Sequence, residues 1–245
     1  SDVCSSDLDL VVGGRTIELH HDRGETDDHT WVWVPDARVV CTGDLFIWAS
    51  PNCGNPQKVQ RYPADWARAL RTMATLGAET LLPGHGLPIV GKARVRQALE
   101  ETAELLEVLH DETLAMMNAG ADLDEIVHTV RAPEHLLERP YLRPVYDEPE
   151  FVVRNVWRLY GGWYDGNPAR LKPPRDSDVA REVAAFAGGS TALARRATTV
   201  ADAGDLRLAA QLAEWAAAAD PDDTTARDVL GDVYARRVEA ESSTM

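Results

Sequence analysis

The sequence predicts an α/β fold followed by an all-α helical region, and three observations support that prediction. Residues 9–42 contain runs in which apolar and polar side chains alternate, which is the period of a half-buried strand. Residues 38–82 then follow the order strand, helix, strand that is typical of an α/β layer. After residue 91, apolar side chains recur at helical spacing almost to the end of the chain.

Four strands are predicted in the first part of the chain. Residues 9–13 form an apolar run that glycines close as a turn, and residues 15–21 alternate as its hairpin partner. The alternating segment HTWVWV at residues 29–34 predicts a third strand. Residues 38–42 form a strand of the buried type that ends at Gly43-Asp44.

A loop, a helix and a fifth strand complete the predicted α/β part. Residues 45–62 contain two prolines and a glycine and predict a long loop, which in a compact domain is usually functional. Residues 64–76 have helical spacing, and Gly77 follows as the C-cap. Residues 79–82 predict a short strand that leads into the turn sequence Pro83-Gly84-His85-Gly86.

The rest of the chain is predicted to be helical and partly similar to tetratricopeptide repeats. Alanine-rich helices are expected from residue 176 onward, with a break at Asp220-Pro221. The spacing of Leu230, Gly231 and Tyr234 resembles a tetratricopeptide-type repeat, which must pack on neighbouring helices or on a partner. Three earlier segments also have amphipathic helical spacing: 92–117, 123–130 and 151–160.

Composition and charge exclude several classes of function. The chain has 245 residues and a formal net charge of -15, which argues against a nucleic-acid or anionic-membrane partner. Its three cysteines have no CxxC spacing, so neither a disulfide framework nor a thiolate zinc site is predicted. The sequence contains no apolar run of about 18 residues that would predict a membrane span.

The ends of the chain affect the expected domain organisation. The sequence lacks an initiator Met and begins with SDVCSSDL, which resembles a translated sequencing adapter, so residues 1–8 are interpreted as an artefact. Residues 9–91 are then expected to form the α/β domain and residues 92–245 a helical domain. Because the helical pattern simply stops near Met245, we expect a fragment of a longer protein.

Three side chains of the metal-ligating kind lie where predicted strands meet turns: Glu25, Asp44 and His85. Hard or borderline divalent ions take carboxylate oxygen and imidazole nitrogen as ligands. Taken singly, these residues are better explained by ordinary turns or a solvated acidic loop. Their joint position at strand ends favours part of a metal site.

The order of these motifs resembles the second half of a metallo-β-lactamase-fold hydrolase, and more narrowly its alkyl sulfatase branch. That branch has Glu in the later loop and an acid nineteen residues further on, and here 44 − 25 = 19. The stretch RYPADW at residues 61–66 is similar to the branch's RDPxxW. YGGWYDGNP at residues 160–168 resembles its YxGWYDGNPA, and the helical region resembles its dimerisation domain.

The resemblance implies a metal-dependent enzyme that hydrolyses alkyl sulfate esters at two zinc ions. Asp44 would bridge the ions, Glu25 would bind one and His85 the other. Arg61 would clamp an anionic oxygen of the sulfate, and His29 would orient Glu25 or Asp44. The helical region would form a homodimer, and the substrate would be a small sulfate ester or a related anionic ester.

Several positions depart from the branch. Its bridging acid is usually Glu rather than Asp44, the sequence NCGNPQKVQ replaces a segment expected near the sulfate, and the HHWP pattern is missing around His85. The HxHxDH motif is absent, and His20-His21-Asp22 is no substitute because neighbouring strand residues point to opposite faces. The missing ligands are therefore expected upstream of residue 9, and this chain alone is expected to be inactive.

Two alternatives stay open at this point. The first is a hydrolase of the same fold that acts on a phosphoester, a lactone or a thioester, because the segment around residues 53–60 is altered. The second is a non-catalytic helical dimerisation module, which predicts that residues 91–240 alone dimerise and that the full protein binds no metal.

Overall fold

A computed structural model describes residues 7–245, which form two compact units. The first unit comprises the described residues up to Gly166 together with Ser243–Met245, and the second comprises Asn167–Ser242. Of the eight residues interpreted as an artefact, 1–6 lie outside the described part. Leu8, however, begins the first strand and pairs with Leu19.

The first unit contains a six-stranded sheet whose strands are neighbours in chain order. All neighbouring strands are antiparallel except the fourth and fifth, which are parallel. A parallel pair needs a crossover connection, and a helix supplies it here. The strands are β1 (Leu8–Val12), β2 (Arg15–Asp22), β3 (His29–Val34), β4 (Val39–Ile47), β5 (Thr80–His85) and β6 (Ile89–Val90).

The crossover helix α1 (Pro63–Thr75) lies between β4 and β5 in the chain. It begins with a proline. Backbone N–H groups in the first turn of a helix have no acceptor within the helix, so the N–H that proline lacks is not needed there. Trp66, Leu70 and Met73 recur at helical spacing and are fully buried. The indole of Trp66 also donates to the carbonyl oxygen of Leu45 at 2.8 Å, which joins the helix to the end of β4.

The predicted end of β4 at residue 42 is wrong. The strand continues through Gly43 and Asp44 to Ile47, with shifts of register against β5 on both sides of Gly43. Gly43 has a φ of +55°, a conformation that glycine adopts without steric cost. The glycine therefore produces an irregularity inside the strand rather than a turn that ends it.

Four further helices follow β6 in the described part of the first unit, after α1 between β4 and β5. The long helix α2 packs against both α1 and α5, which places it in the same core as the sheet. The short helix α4 and strand β6 were not predicted, because four and two residues are too few to show a period. The later helices are α2 (Lys92–Ala119), α3 (Leu123–Thr129), α4 (Glu134–Leu137) and α5 (Pro149–Gly161).

Four helices form the second unit, with a short 3-10 turn at Pro168–Arg170 before them. They are α6 (Asp176–Ala187), α7 (Ser190–Asp202), α8 (Leu206–Ala219) and α9 (Thr224–Ala240). α8 packs against the other three helices through small alanine side chains. In the repeat-like segment, Val233 is buried against these helices and Tyr234 donates to Glu214 at 2.6 Å.

The predicted order of an α/β part and a helical part is confirmed as the fold class. The spatial division, however, falls between Gly166 and Asn167 rather than at the predicted domain boundary of 91/92. The reason is that α2, α3 and α5 share one apolar core with α1 and the sheet. Among the described residues, no helix combines the length and apolar character required of a membrane span.

Candidate active site

A cavity of about 640 Å³ in the first unit contains the predicted metal ligands among its lining side chains. Glu25 comes from the loop after β2, Asp44 from β4 and His85 from the end of β5. The fold therefore brings together three residues that are distant in sequence. The complete lining is Glu25, Asp44, Ile47, Trp48, Ala49, Asn52, Lys58, His85, Gly86 and Tyr146.

Asp44 and His85 are direct neighbours in this cavity. Their strands run parallel, and His85 pairs in register with Ile47, three residues beyond Asp44. The distance from His85 Nε2 to Asp44 Oδ1 is 3.6 Å, and the two side chains are 75% and 37% exposed. A carboxylate and an imidazole at this separation, both open to solvent, are suited to bind one metal ion placed between them.

Gly84 allows the two strands to approach this closely. A Cβ atom added to Gly84 would overlap Asp44 Oδ1 and would lie 2.5 Å from the backbone of Gly43. Any side chain at this position would therefore push β5 away from the Gly43-Asp44 irregularity. Residues 83–85, which were predicted to form a turn, therefore belong to β5 and are needed for close packing as well as for the His85 imidazole.

Glu25 lines the same cavity, but neighbouring side chains already hold its carboxylate. Arg61 Nη1 lies 2.8 Å from Glu25 Oε1, and their side chains are 5% and 16% exposed. Asn52 Nδ2 donates to the same oxygen at 3.2 Å. The position of Glu25 is therefore fixed by the loop that follows β4.

Arg61 lies beneath Glu25 rather than in the lining of the cavity. Its side chain is buried, it does not line the cavity, and it also donates to the carbonyl oxygen of Asn52. These contacts make Arg61 a residue that positions Glu25 and the loop. Its predicted role as an anion clamp stays a prediction.

His29 contacts the strand that carries Asp44 rather than Asp44 itself. Its Nε2 lies 2.9 Å from the carbonyl oxygen of Thr42. Its ring also covers Gly43, because a Cβ on that glycine would lie 2.9 Å from His29 Nε2. The predicted role of His29 in orienting Glu25 or Asp44 stays a prediction.

The described residues do not complete a metal site by themselves. Within residues 7–245, no group of three or more His, Cys, Asp or Glu side chains is close enough to hold a metal ion. Asp44 and His85 form a pair of donors, and Glu25 faces the same cavity from the pocket formed by Arg61 and Asn52. Carboxylate and imidazole groups are suitable donors for a divalent ion. The described residues supply too few of them to complete its coordination.

Sequence reasoning missed a buried polar cluster beside this loop. Asp147 has no exposed surface, and its carboxylate accepts hydrogen bonds from the backbone N–H groups of Gly54 at 2.5 Å and Glu148 at 2.9 Å. Burial raises the pKa of Asp147 to about 6. Burial and the nearby Asp147 charge also raise the pKa of the Cys53 thiol.

The fold agrees with comparisons to known families. Residues 5–85 match the metallo-beta-lactamase superfamily, which gives the class of the α/β part. Residues 122–245 match the alkyl sulfatase dimerisation family. Because that match covers half of the chain, the chain belongs to the alkyl sulfatase dimerisation family.

Two of the similar curated proteins are named as alkylsulfatases. A linear primary-alkylsulfatase from Pseudomonas sp. is 30% identical over 241 residues, which cover 96% of this chain and 45% of the relative. An (R)-specific secondary-alkylsulfatase from Pseudomonas sp. is 30% identical over 206 residues, which cover 82% of this chain and 31% of the relative. The chain thus spans less than half the length of these relatives.

Solved structures agree with this family. The stereoselective inverting sec-alkylsulfatase Pisa1 from Pseudomonas sp. is 28% identical and superposes with a TM-score of 0.84 over 93% of this chain and 37% of that one. A double mutant of the sec-alkyl sulfatase PisA1 has a TM-score of 0.89 at 26% identity, over 97% and 38% of the two chains. The fold of nearly the whole chain therefore has a counterpart in this enzyme.

Proposed function

We propose that this chain supplies part of a metal-dependent hydrolase of alkyl sulfate esters. The observation that carries the proposal is the cavity that Glu25, Asp44 and His85 line together. The relatives named as alkylsulfatases support the substrate class. An alkyl sulfate has an anionic head and an apolar tail, and the same cavity also has the apolar side chains of Ile47 and Trp48.

In this proposal the cavity residues bind two zinc ions. Asp44, Glu25 and His85 would hold them, since carboxylate and imidazole groups are donors for such ions. When bound, such ions supply an activated water near neutral pH and polarise the ester. The remaining ligands would come from residues outside 7–245, since the described residues hold no complete group of three.

The other residues of the chain prepare the cavity for this chemistry. Arg61 and Asn52 hold the Glu25 carboxylate in one orientation, which reduces the entropy lost when a ligand binds. His29 holds the backbone next to Asp44. Trp48 donates through its indole N–H to Leu87 at 2.6 Å, so its ring is fixed as an apolar wall for the alkyl chain.

Comparing this chain with a version extended upstream in the gene tests the proposal. Metal content is measured by mass spectrometry, and sulfate release is measured with octyl sulfate. We expect two zinc ions and sulfate release from the extended protein, and no hydrolysis by residues 1–245 alone. Zinc-dependent hydrolysis by this chain alone would contradict the proposal that its metal site is incomplete.

The same experiment separates the alternatives. An extended protein that binds zinc but cleaves only a phosphoester, lactone or thioester would be a hydrolase of another substrate. An extended protein that binds no metal would be a non-catalytic dimerisation module.

We also propose that the protein forms a homodimer. The match of residues 122–245 to the alkyl sulfatase dimerisation family supports this arrangement. Light scattering coupled to size-exclusion chromatography should give about twice the 26.9 kDa of a single chain. A mass of one chain at micromolar concentration would contradict it.

A further inference from the structure

Lys58 places a positive charge in the cavity, and none of the roles predicted from the sequence falls on it. Among the described residues that line the cavity, it is the only lysine or arginine. Its side chain is exposed, and no carboxylate in residues 7–245 forms an ion pair with it. Arg61, the cation expected from sequence to meet the substrate, is buried and paired with Glu25.

The loop holds Lys58 in place from both sides. Before Lys58, the N–H of Gly54 donates to Asp147, and Gly54 packs so tightly on α5 that a Cβ would overlap the backbone of Phe151 and Val152. After Lys58, the Gln60 amide donates to Asn155 Oδ1 at 2.9 Å. The loop is therefore fixed to α5 at two points.

The turn between these two points is also hydrogen-bonded. The N–H of Lys58 donates to the carbonyl oxygen of Asn55 at 3.2 Å, and the N–H of Gln57 donates to Asn55 Oδ1 at 2.9 Å. The backbone at Lys58 consequently has little freedom, while its ammonium group stays available to a ligand. A fixed backbone with a free charged end is typical of a residue that recognises substrate.

We infer that Lys58 is the residue that binds the anionic head of the substrate in this chain. An ammonium group is a compact point charge with three donors, which suits a tetrahedral sulfate ester. This inference rests on the proposed function, and it transfers the anion-binding role from Arg61 to Lys58. Arg61 instead fixes Glu25 and the far end of the same loop.

The lysine content of the chain allows a direct binding test. The sequence contains three lysines, Lys58, Lys92 and Lys172. Lys92 begins α2, where its ammonium lies near Gly77, and Lys172 lies in the second unit, so neither lines the cavity. Both are internal controls for the reactivity of Lys58.

The experiment is competitive acylation of this chain, with the rate at each lysine read by mass spectrometry. The probes are hexyl sulfate, inorganic sulfate and the neutral alcohol 1-hexanol. We expect hexyl sulfate to slow acylation of Lys58 several-fold and to leave Lys92 and Lys172 unchanged. Equal protection by 1-hexanol, or no protection by hexyl sulfate, would overturn the inference.

Kinetics of the extended, zinc-loaded protein test the same inference independently. Lys58→Met should raise KM for octyl sulfate about tenfold and change kcat less than KM, because a charge-assisted hydrogen bond to the ground state is lost. Lys58→Arg should restore most of the affinity, and Lys92→Met should match wild type. An unchanged KM in Lys58→Met would overturn the inference and leave the proposed function intact.

Failure of the proposed function looks different. The wild-type extended protein would then neither bind nor hydrolyse alkyl sulfates, and the role of Lys58 would fail with it. Circular dichroism of each variant separates a binding defect from a folding defect, because Lys58 is exposed and its replacement removes no buried contact.

Discussion

The guanidinium of Arg61 lies 2.8 Å from the carboxylate of Glu25, and both side chains are nearly buried. This pair joins a residue that lines the cavity to the end of the loop that precedes α1. Removing one partner of a buried pair leaves an uncompensated charge, which costs more than the pair itself contributes. The pair therefore controls both the stability of the loop and the position of Glu25.

Arg61→Met should lower the free energy of unfolding by about 3 kcal/mol or more. The substitution leaves Glu25 without its cation and removes a donor to the carbonyl oxygen of Asn52. Urea unfolding measures the loss. The control is Arg38→Met, whose pair with Glu79 is 57% and 56% exposed and should contribute less than about 1 kcal/mol. Equal losses in the two variants would show that burial does not strengthen the Arg61 pair.

Gly84→Ala should destabilise the first unit by about 1–3 kcal/mol and disturb Asp44. The new Cβ would overlap Asp44 Oδ1 and meet the Gly43 backbone at 2.5 Å. Unfolding free energy and zinc affinity of the extended protein are the two measurements. In contrast, Gly231→Ala meets nothing within 4 Å and lies inside α9, so it should stabilise its helix by up to about 1 kcal/mol. A neutral Gly84→Ala would mean that β5 can move away from β4 without cost.

His29→Ala should weaken zinc binding by the extended protein about tenfold, because it releases the backbone beside Asp44. Competition with a chromogenic chelator measures the affinity. His135→Ala is the matched control, since His135 is 64% exposed on α4 and lies 3.9 Å from Glu104, away from the cavity. The supporting role of His29 would be excluded if both variants bound zinc as wild type does.

Stability should fall as the pH rises through the titration of Asp147. Its pKa is raised from 3.8 to about 6 in the folded chain, so the folded state binds more protons than the unfolded state between these values. The stabilising contribution is complete below the unfolded pKa and is lost as pH rises through the folded one. The shift of roughly two units corresponds to about 3 kcal/mol.

The measurement is urea unfolding of wild type and Asp147→Asn from about pH 4 to about pH 7. The stability of wild type relative to the variant should decrease over that range, because only wild type must ionise a buried carboxylate at higher pH. Asp9→Asn, at an exposed strand residue, should follow wild type. A constant difference between wild type and Asp147→Asn would contradict the raised pKa.

Local patterns were sufficient to predict most elements of the fold. The alternation at residues 29–34 gave the third strand with its observed bounds, and the break at Asp220-Pro221 gave the end of α8 at Ala219. Both patterns are contained in a few neighbouring residues. The course of β4 through Gly43 was missed, because a glycine that bends a strand and one that ends it have the same local sequence.

The three residues predicted from sequence as metal donors, Glu25, Asp44 and His85, line one cavity, and their role as donors stays a prediction. The contacts of these three residues with other side chains were not predicted. The position of Arg61 under Glu25 depends on how the loop packs on α5, through contacts such as that of Gly54 with Asp147, 93 residues away. The position of Lys58 in the cavity also depends on how this loop packs on α5.

Residue types and short spacings were enough to predict the period of each strand and helix, the acidic charge and the candidate metal donors. The packed fold was needed to show that Asp44 and His85 lie 3.6 Å apart, that Arg61 is buried and that Lys58 forms no ion pair within residues 7–245. Those relations depend on the parallel pairing of β4 with β5 and on packing between distant segments. Many contacting residues of the unit contribute to the free energy of such packing, so it cannot be assigned to one segment of the chain.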